Sequence, residues 1–306
     1  MLNKVGIVAC SNAQLLSYKA DIDRLDKILR DMGLQPVYSE YIYEKEPYFS
    51  GIARDKAKAL MELYKAEDIV AIFDISGGDM ANEILPYLDY ECIANTDKKF
   101  WGYSDLTTII NAIYAKTGKS SMLYQVKNLV WDKTRSQIGD FVEYANKILL
   151  SDDTDNKAPG NEPKDEIKKL SLLEFDYDFI QGETLKGIVI GGNIRCFLKL
   201  AGTEYMPDFT DKVLLLESLG GEVPQMITYL NQLQQMGAFS KISGIILGTF
   251  TTMKANNCKP DIIELVRRYA GDKLPIVKTE YIGHGSNSKA IAIGIAISLK
   301  SNEGDR

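Results

Sequence analysis

The amino-acid sequence predicts an α/β fold: an N-terminal parallel-sheet domain with helices on both faces and a second, smaller α/β domain. Three observations carry this expectation. Short β-branched and aromatic runs alternate with segments whose apolar residues recur at helical spacing, the pattern of strands and crossover helices. At 306 residues and 45% hydrophobic, the chain has enough apolar material for two cores, because domains typically run to about 100–200 residues. Between residues 151 and 169 the composition shifts to Asp, Asn, Lys, Pro and Gly with almost nothing to bury. The expected organisation is therefore an N-terminal α/β domain over 1–150, an exposed and mobile polar linker or flap over 151–169, and a C-terminal domain over 170–306.

Taken in order, residues 4–9 read as a buried strand, and residues 15–32 carry helical spacing in Leu15, Ile22, Leu25, Ile28, Leu29 and Met32, ending at Gly33. A further strand follows. Helical spacing returns over 53–64, a β-branched run over 69–73 and a short helix over 81–87. Phe100 and Trp101 mark a strand, and a helix over 105–115 is closed by Gly118. In the second half, strands are expected at 187–190, 213–216, 242–247, 276–279 and 290–299, with helices at 194–200, 224–236 and 261–269.

Composition narrows the function. A net charge of −6 argues against a nucleic-acid-binding face, which needs clustered Lys and Arg. No stretch reaches the ~18 apolar residues of a membrane span, and the apolar run at the N-terminus is too short for a signal peptide. A cytoplasmic protein acting on a small molecule is expected. Cys10, Cys92, Cys196 and Cys258 are widely spaced and suggest neither a disulfide framework nor a structural zinc site. The sequence contains 1 histidine, His284, which removes most catalytic zinc arrangements and makes this residue the only imidazole available to any mechanism.

Several motifs fail on context. Gly118-Lys119-Ser120 lacks the first glycine of a phosphate-binding loop, and Ile190-Gly191-Gly192-Asn193 lacks the third glycine of a dinucleotide fingerprint, leaving a tight strand-to-helix turn. Ser286-Asn287-Ser288-Lys289 and Lys116-Thr117-Gly118 stand in the wrong order for a Ser-Lys acyl enzyme.

Gly102-Tyr103-Ser104-Asp105 lies between a predicted strand and helix, where a nucleophile elbow would raise a serine hydroxyl above the sheet edge. Leu106 replaces the second glycine of that motif, so Ser104 or Asp105 capping the helix explains the segment equally well. His284 sits between Gly283 and Gly285, which suits a loop entering a cleft as well as an ordinary surface loop. Glu217 ends the run Val213-Leu214-Leu215-Leu216 and could orient an imidazole or be solvated. Together they stand in the order Ser, Glu, His, one of several found in catalytic triads.

The stretch from Ser76-Gly77-Gly78-Asp79 through Asn82 to Tyr90, followed by Phe100-Trp101-Gly102-Tyr103-Ser104-Asp105-Leu106-Thr107, resembles the LD-carboxypeptidase family, which includes the microcin C immunity peptidases. Gly192-Asn193, Leu200-Ala201-Gly202-Thr203, Val213 to Glu217 and Gly283-His284-Gly285 are similar to its second domain. The resemblance implies Ser104 as nucleophile, His284 as general base, Glu217 as orienting carboxylate and an oxyanion hole at the backbone amides of Gly78 and Asp105. It also implies a serine carboxypeptidase acting near the C-terminus of a small peptide, a cytoplasmic muropeptide, without metal or organic cofactor and as a homodimer. Departures bear on the substrate. Ser76-Gly77-Gly78-Asp79 stands where many members have Arg-Gly-Gly-Tyr, Cys10-Ser11 replaces a Pro-Ser, and Leu123-Tyr124-Gln125 stands near the missing His-Gly-Pro. Ser76-Gly77-Gly78 with Asn82 is closer to the immunity branch, so a peptidyl-nucleotide antibiotic is the alternative substrate, and Tyr41, Tyr43 and Tyr48 are candidates for aromatic selectivity. A non-catalytic ligand-binding protein of two α/β domains is the alternative of another class.

Overall fold

The computed structural model describes residues 3–150 and 170–301, so the polar segment expected at 151–169 lies outside the described residues. Two six-stranded sheets form the frame. In the first, β1 (Asn3–Val8), β2 (Leu34–Tyr38), β3 (Ile69–Asp74), β4 (Lys99–Gly102) and β5 (Ser121–Leu123) run parallel, and β11 (Ile291–Ile293) closes the far edge antiparallel to β5, giving the order β11-β5-β4-β3-β1-β2. In the second, β7 (Thr184–Asn193), β8 (Lys212–Ser218), β9 (Gly244–Phe250) and β10 (Ile276–Lys278) are parallel, flanked antiparallel by β12 (Ala296–Lys300) and β6 (Asp178–Gln181). Both sheets are mixed, with the antiparallel strands confined to edges.

The central strands are apolar on both faces because helices cover both, as expected of parallel sheets. One face of the first sheet packs the helix Lys19–Asp31 and the helix Ser136–Tyr144 around an aromatic cluster, in which fully buried Trp101 meets Phe73, Phe141, Tyr124 and Tyr144 with ring centroids 5.1–6.0 Å apart. Edge-to-face geometry lets these rings fill volume while aligning positive edges with negative faces. The other face carries the helix Ala53–Lys65 and the helix Thr107–Thr117.

That last helix explains how the sheets are joined. Thr107 to Ile113 are all buried, so this stretch of the helix is enclosed on every side, its polar Thr107, Thr108 and Asn111 included. Its Asn111 side chain donates to Gly191 O and accepts from Gly191 N, both at 2.9 Å, pinning the helix to β7. The core beneath it is continuous, running from Ile72 and Phe100 in the first sheet to Val189 and Leu215 in the second.

The apolar run expected as one strand over 290–299 is two. Gly294, at φ 88°, breaks it, sending β11 to the first sheet and β12 to the second.

Candidate active site

The parallel strands of both sheets direct the chain at their carboxyl ends into one cleft, the usual place for a site in open α/β sheets. From the first sheet, β4 ends at Gly102 and the chain turns through Tyr103 and Ser104 into a short 3-10 turn and then the enclosed helix. Ser104 adopts φ 56°, a left-handed conformation that non-glycine residues rarely take and that turns its side chain out of the strand direction. Leu106, which replaces the expected second glycine, is fully buried. Its space is made by Gly102 instead, where an added Cβ would lie 2.6 Å from the Leu106 Cβ.

The capping alternative does not describe this turn. No side chain caps the helix Thr107–Thr117. The fully buried Asp105 carboxylate instead accepts from Ser11 Oγ at 2.7 Å, from the Ala81 amide at 2.8 Å and from Lys199 Nζ at 2.5 Å. It thereby ties the turn after Ser104 to the loop after β1, to the chain following Gly77-Gly78 and to the second domain. Gly78, at φ 128°, leaves room for the Asn12 side chain, whose oxygen accepts from the Asp79 amide at 2.9 Å. Lys199 and Arg195 both pair with Asp79, and Arg195 also donates to Gly78 O at 3.3 Å. These cations, on and just after the helix Ile194–Leu198, brace the glycine loop from the second domain.

From the second sheet, β8 carries Glu217 and the loop after β10 carries His284. Glu217 is fully buried, and its Oε2 lies 2.8 Å from His284 Nδ1. A carboxylate accepts, so the contact places the imidazole proton on Nδ1 and leaves Nε2 with a free lone pair. Nε2 is buried and has no hydrogen-bond partner among the described residues. The glycines flanking His284 have a packing role: a Cβ at Gly283 would meet the Thr249 hydroxyl at 1.6 Å, and Ser288 closes the loop by donating to Gly283 O at 2.5 Å.

Ser104 and His284 line the same cavity, of about 260 Å³, with Gly77, Gly78, Gln125 and Lys127 among the other walls. The structure thus brings together the three residues singled out in the sequence and the Gly78 loop. Tyr41, Tyr43 and Tyr48 are not part of this wall. Tyr103 was not foreseen. Its ring packs edge-on against the imidazole at 4.7 Å between centroids, with its hydroxyl oxygen 3.4 Å from Nδ1. Burial first, and then the Glu217 carboxylate, push the phenol well above its ordinary pKa, so it remains neutral. Among the described residues, no three His, Cys, Asp or Glu side chains gather as metal ligands, and no helix is long and apolar enough to cross a membrane.

A hydroxyl on one wall of an interdomain cleft and a carboxylate-bound imidazole on the other suit a peptidase, and comparison with known proteins agrees. The chain belongs to the LD-carboxypeptidase family, matching its N-terminal domain over residues 5–124 and its C-terminal domain over residues 186–299. It is 25% identical to the microcin C7 self-immunity protein MccF of Escherichia coli, over 96% of this chain and 90% of that protein. It is 21% identical to the murein tetrapeptide carboxypeptidase of Pseudomonas aeruginosa, over 92% of this chain and 89% of that protein. Among solved structures, MccF in complex with glutamyl sulfamoyl guanosine superposes with a TM-score of 0.80 at 21% identity, covering 98% of this chain and 93% of that one.

Proposed function

We propose that this chain is a serine carboxypeptidase that hydrolyses an amide bond near the C-terminus of a small peptide, a cytoplasmic muropeptide, through Ser104, His284 and Glu217. The observation that carries the reading is the imidazole held at Nδ1 by Glu217 with Nε2 unpartnered, on the wall of the cavity that Ser104 also lines. In this scheme Nε2 takes the Ser104 proton as the hydroxyl oxygen attacks the scissile carbonyl, and Glu217 stabilises the imidazolium. The Gly78 and Asp105 backbone amides stabilise the tetrahedral oxyanion. The imidazolium then protonates the leaving amine, and water, activated by the same nitrogen, releases the acyl group from Ser104. The scheme draws on no cofactor. The proposal extends to the domain limits 1–150 and 170–306 with a linker between them, and to a homodimer.

A second reading, an immunity peptidase acting on a peptidyl-nucleotide antibiotic, is favoured by the similarity to MccF over nearly the whole chain. Assaying a muropeptide tetrapeptide beside a peptidyl sulfamoyl adenosine separates the two, with release of a terminal D-amino acid expected from the first. A fluorophosphonate probe is expected to label the wild-type protein and not Ser104→Ala. Absence of both labelling and turnover would leave a ligand-binding protein.

A further inference from the structure

Lys127 lies between the two segments that match the family, three residues beyond the first. It is only 7% exposed and lines the cavity that holds Ser104 and His284. Its ammonium donates to Gln14 Oε1 at 2.9 Å, a neutral acceptor, and sits 4.8 Å from the ring centre of Trp131, another wall residue, and 5.9 Å from that of Tyr18. Among the described residues, no carboxylate forms an ion pair with it. The contrast with Lys289, the other lysine on this wall, is direct, since Lys289 is neutralised by Asp140 at 2.5 Å and also donates to Ser171 O at 2.7 Å. Removing an ammonium from water is expensive unless a counter-charge faces it, and ring faces with one amide oxygen supply only part of that compensation. An ammonium has three donors, and among the described residues a single acceptor, Gln14 Oε1, meets that of Lys127.

We propose that Lys127 is the substrate's anion-binding residue, holding an oxyanion of the leaving group, the terminal carboxylate of a peptide or the phosphate of a nucleotide, while Ser104 attacks the adjoining bond. The assignment rests on the peptidase reading for its location and deepens it, since it supplies the charge recognition a carboxypeptidase needs to act at a chain end. Neutralising the buried ammonium on binding makes the contact selective, because an uncharged amide end would leave it without a counter-ion.

The test reads binding apart from turnover. N-acetyl-D-alanine, N-acetyl-D-alaninamide and adenosine monophosphate are titrated by calorimetry into the wild-type protein, Lys127→Met and Lys127→Gln, with thermal melts confirming that each variant folds. The wild-type protein is expected to bind N-acetyl-D-alanine about tenfold or more tightly than its amide, and both variants to lose that preference. Lys127-dependent binding of adenosine monophosphate alone would identify phosphate as the oxyanion. In the unsubstituted protein, acid binding should also weaken as pH rises through about 8, where burial places the Lys127 ammonium against the smaller opposing effects of Asp74 and Asp21. Failure to hydrolyse any peptide, with Lys127-dependent anion binding intact, would sink the peptidase reading alone. No anion preference in the wild-type protein, or one retained in both variants, overturns the assignment of Lys127.

Discussion

Tyr103 and Ser104 show how much one turn can bring to bear on the His284 ring across the cleft. Tyr103, the residue before Ser104, packs against the His284 imidazole, so in the proposed mechanism orientation of the base and exposure of the hydroxyl come from the same short segment. Replacing Ser104 or His284 by Ala should lower kcat by about 10⁴-fold or more, and Glu217→Gln should do less damage than Ser104→Ala because the nucleophile stays in place. Tyr103→Phe removes one hydroxyl contact, and kcat should fall only about fivefold at unchanged KM, as measured by steady-state kinetics. Near wild-type turnover by His284→Ala would refute the general-base role, since the chain has no second imidazole. Ser104, Glu217 and His284 were picked out as candidates by residue type, chain order and motif resemblance, all of which survive in one dimension, and the fold places them about one cleft. Tyr103, Lys127 and Lys199 were not picked out, because what distinguishes a buried tyrosine or an unpaired lysine is its neighbours in space.

At the level of elements, the helix Ser136–Tyr144 supplies Phe141 and Tyr144 to the aromatic cluster around Trp101 and depends on a cap reached from outside it. Asp132 accepts from the Gln137 amide at 3.0 Å, the Thr134 amide at 3.0 Å and the Thr134 and Ser136 hydroxyls. Burial opposes its charge, but these donors outweigh burial and hold the carboxyl down at about 2. A carboxyl lowered in the folded state stabilises fully above its unfolded value of about 3.9 and loses that contribution as pH falls through that value towards 2. Asp132→Ala should therefore cost about 1 kcal/mol at neutral pH, and its melting temperature should converge on that of the wild type as pH drops from about 4 towards 2. A gap that stays constant over this range would contradict the account. Periodicity located the central strands and most of the long helices to within a few residues, but not the helix Ser136–Tyr144. It missed β5 and β6, because strands of 3 and 4 residues carry too few side chains to show a period. It also merged β11 with β12, whose apolar residues continue across a glycine that alone marks the change of sheet.

For the whole molecule, the two sheets are held by one enclosed helix, a shared core and the Lys199 contact with Asp105. Lys199→Met strands a fully buried carboxylate and should destabilise by about 3 kcal/mol, while adding Asp105→Asn to it should restore part of the loss. Urea denaturation of the three variants checks this, and additive effects in the double variant would show that the pair is not coupled. The presence of two α/β units was visible in the alternation of strand and helix patterns along the sequence. How the layers clasp one another was not, since Asn111 gripping Gly191 joins positions 80 residues apart.

The break at Gly294 has a consequence in time. Because β11 completes the first sheet and β12 the second, the strand that seals the N-terminal layer emerges from the ribosome only after nearly all of the other described strands have been made. Domains tend to fold as their residues emerge, N-terminal first. Here the earliest layer must wait with an open edge at β5, and His284 itself arrives only just ahead of the strand that closes it. On the proposed mechanism the nascent chain thus lacks its base until both sheets are about to close, and a half-made protein would hold no complete hydrolytic centre.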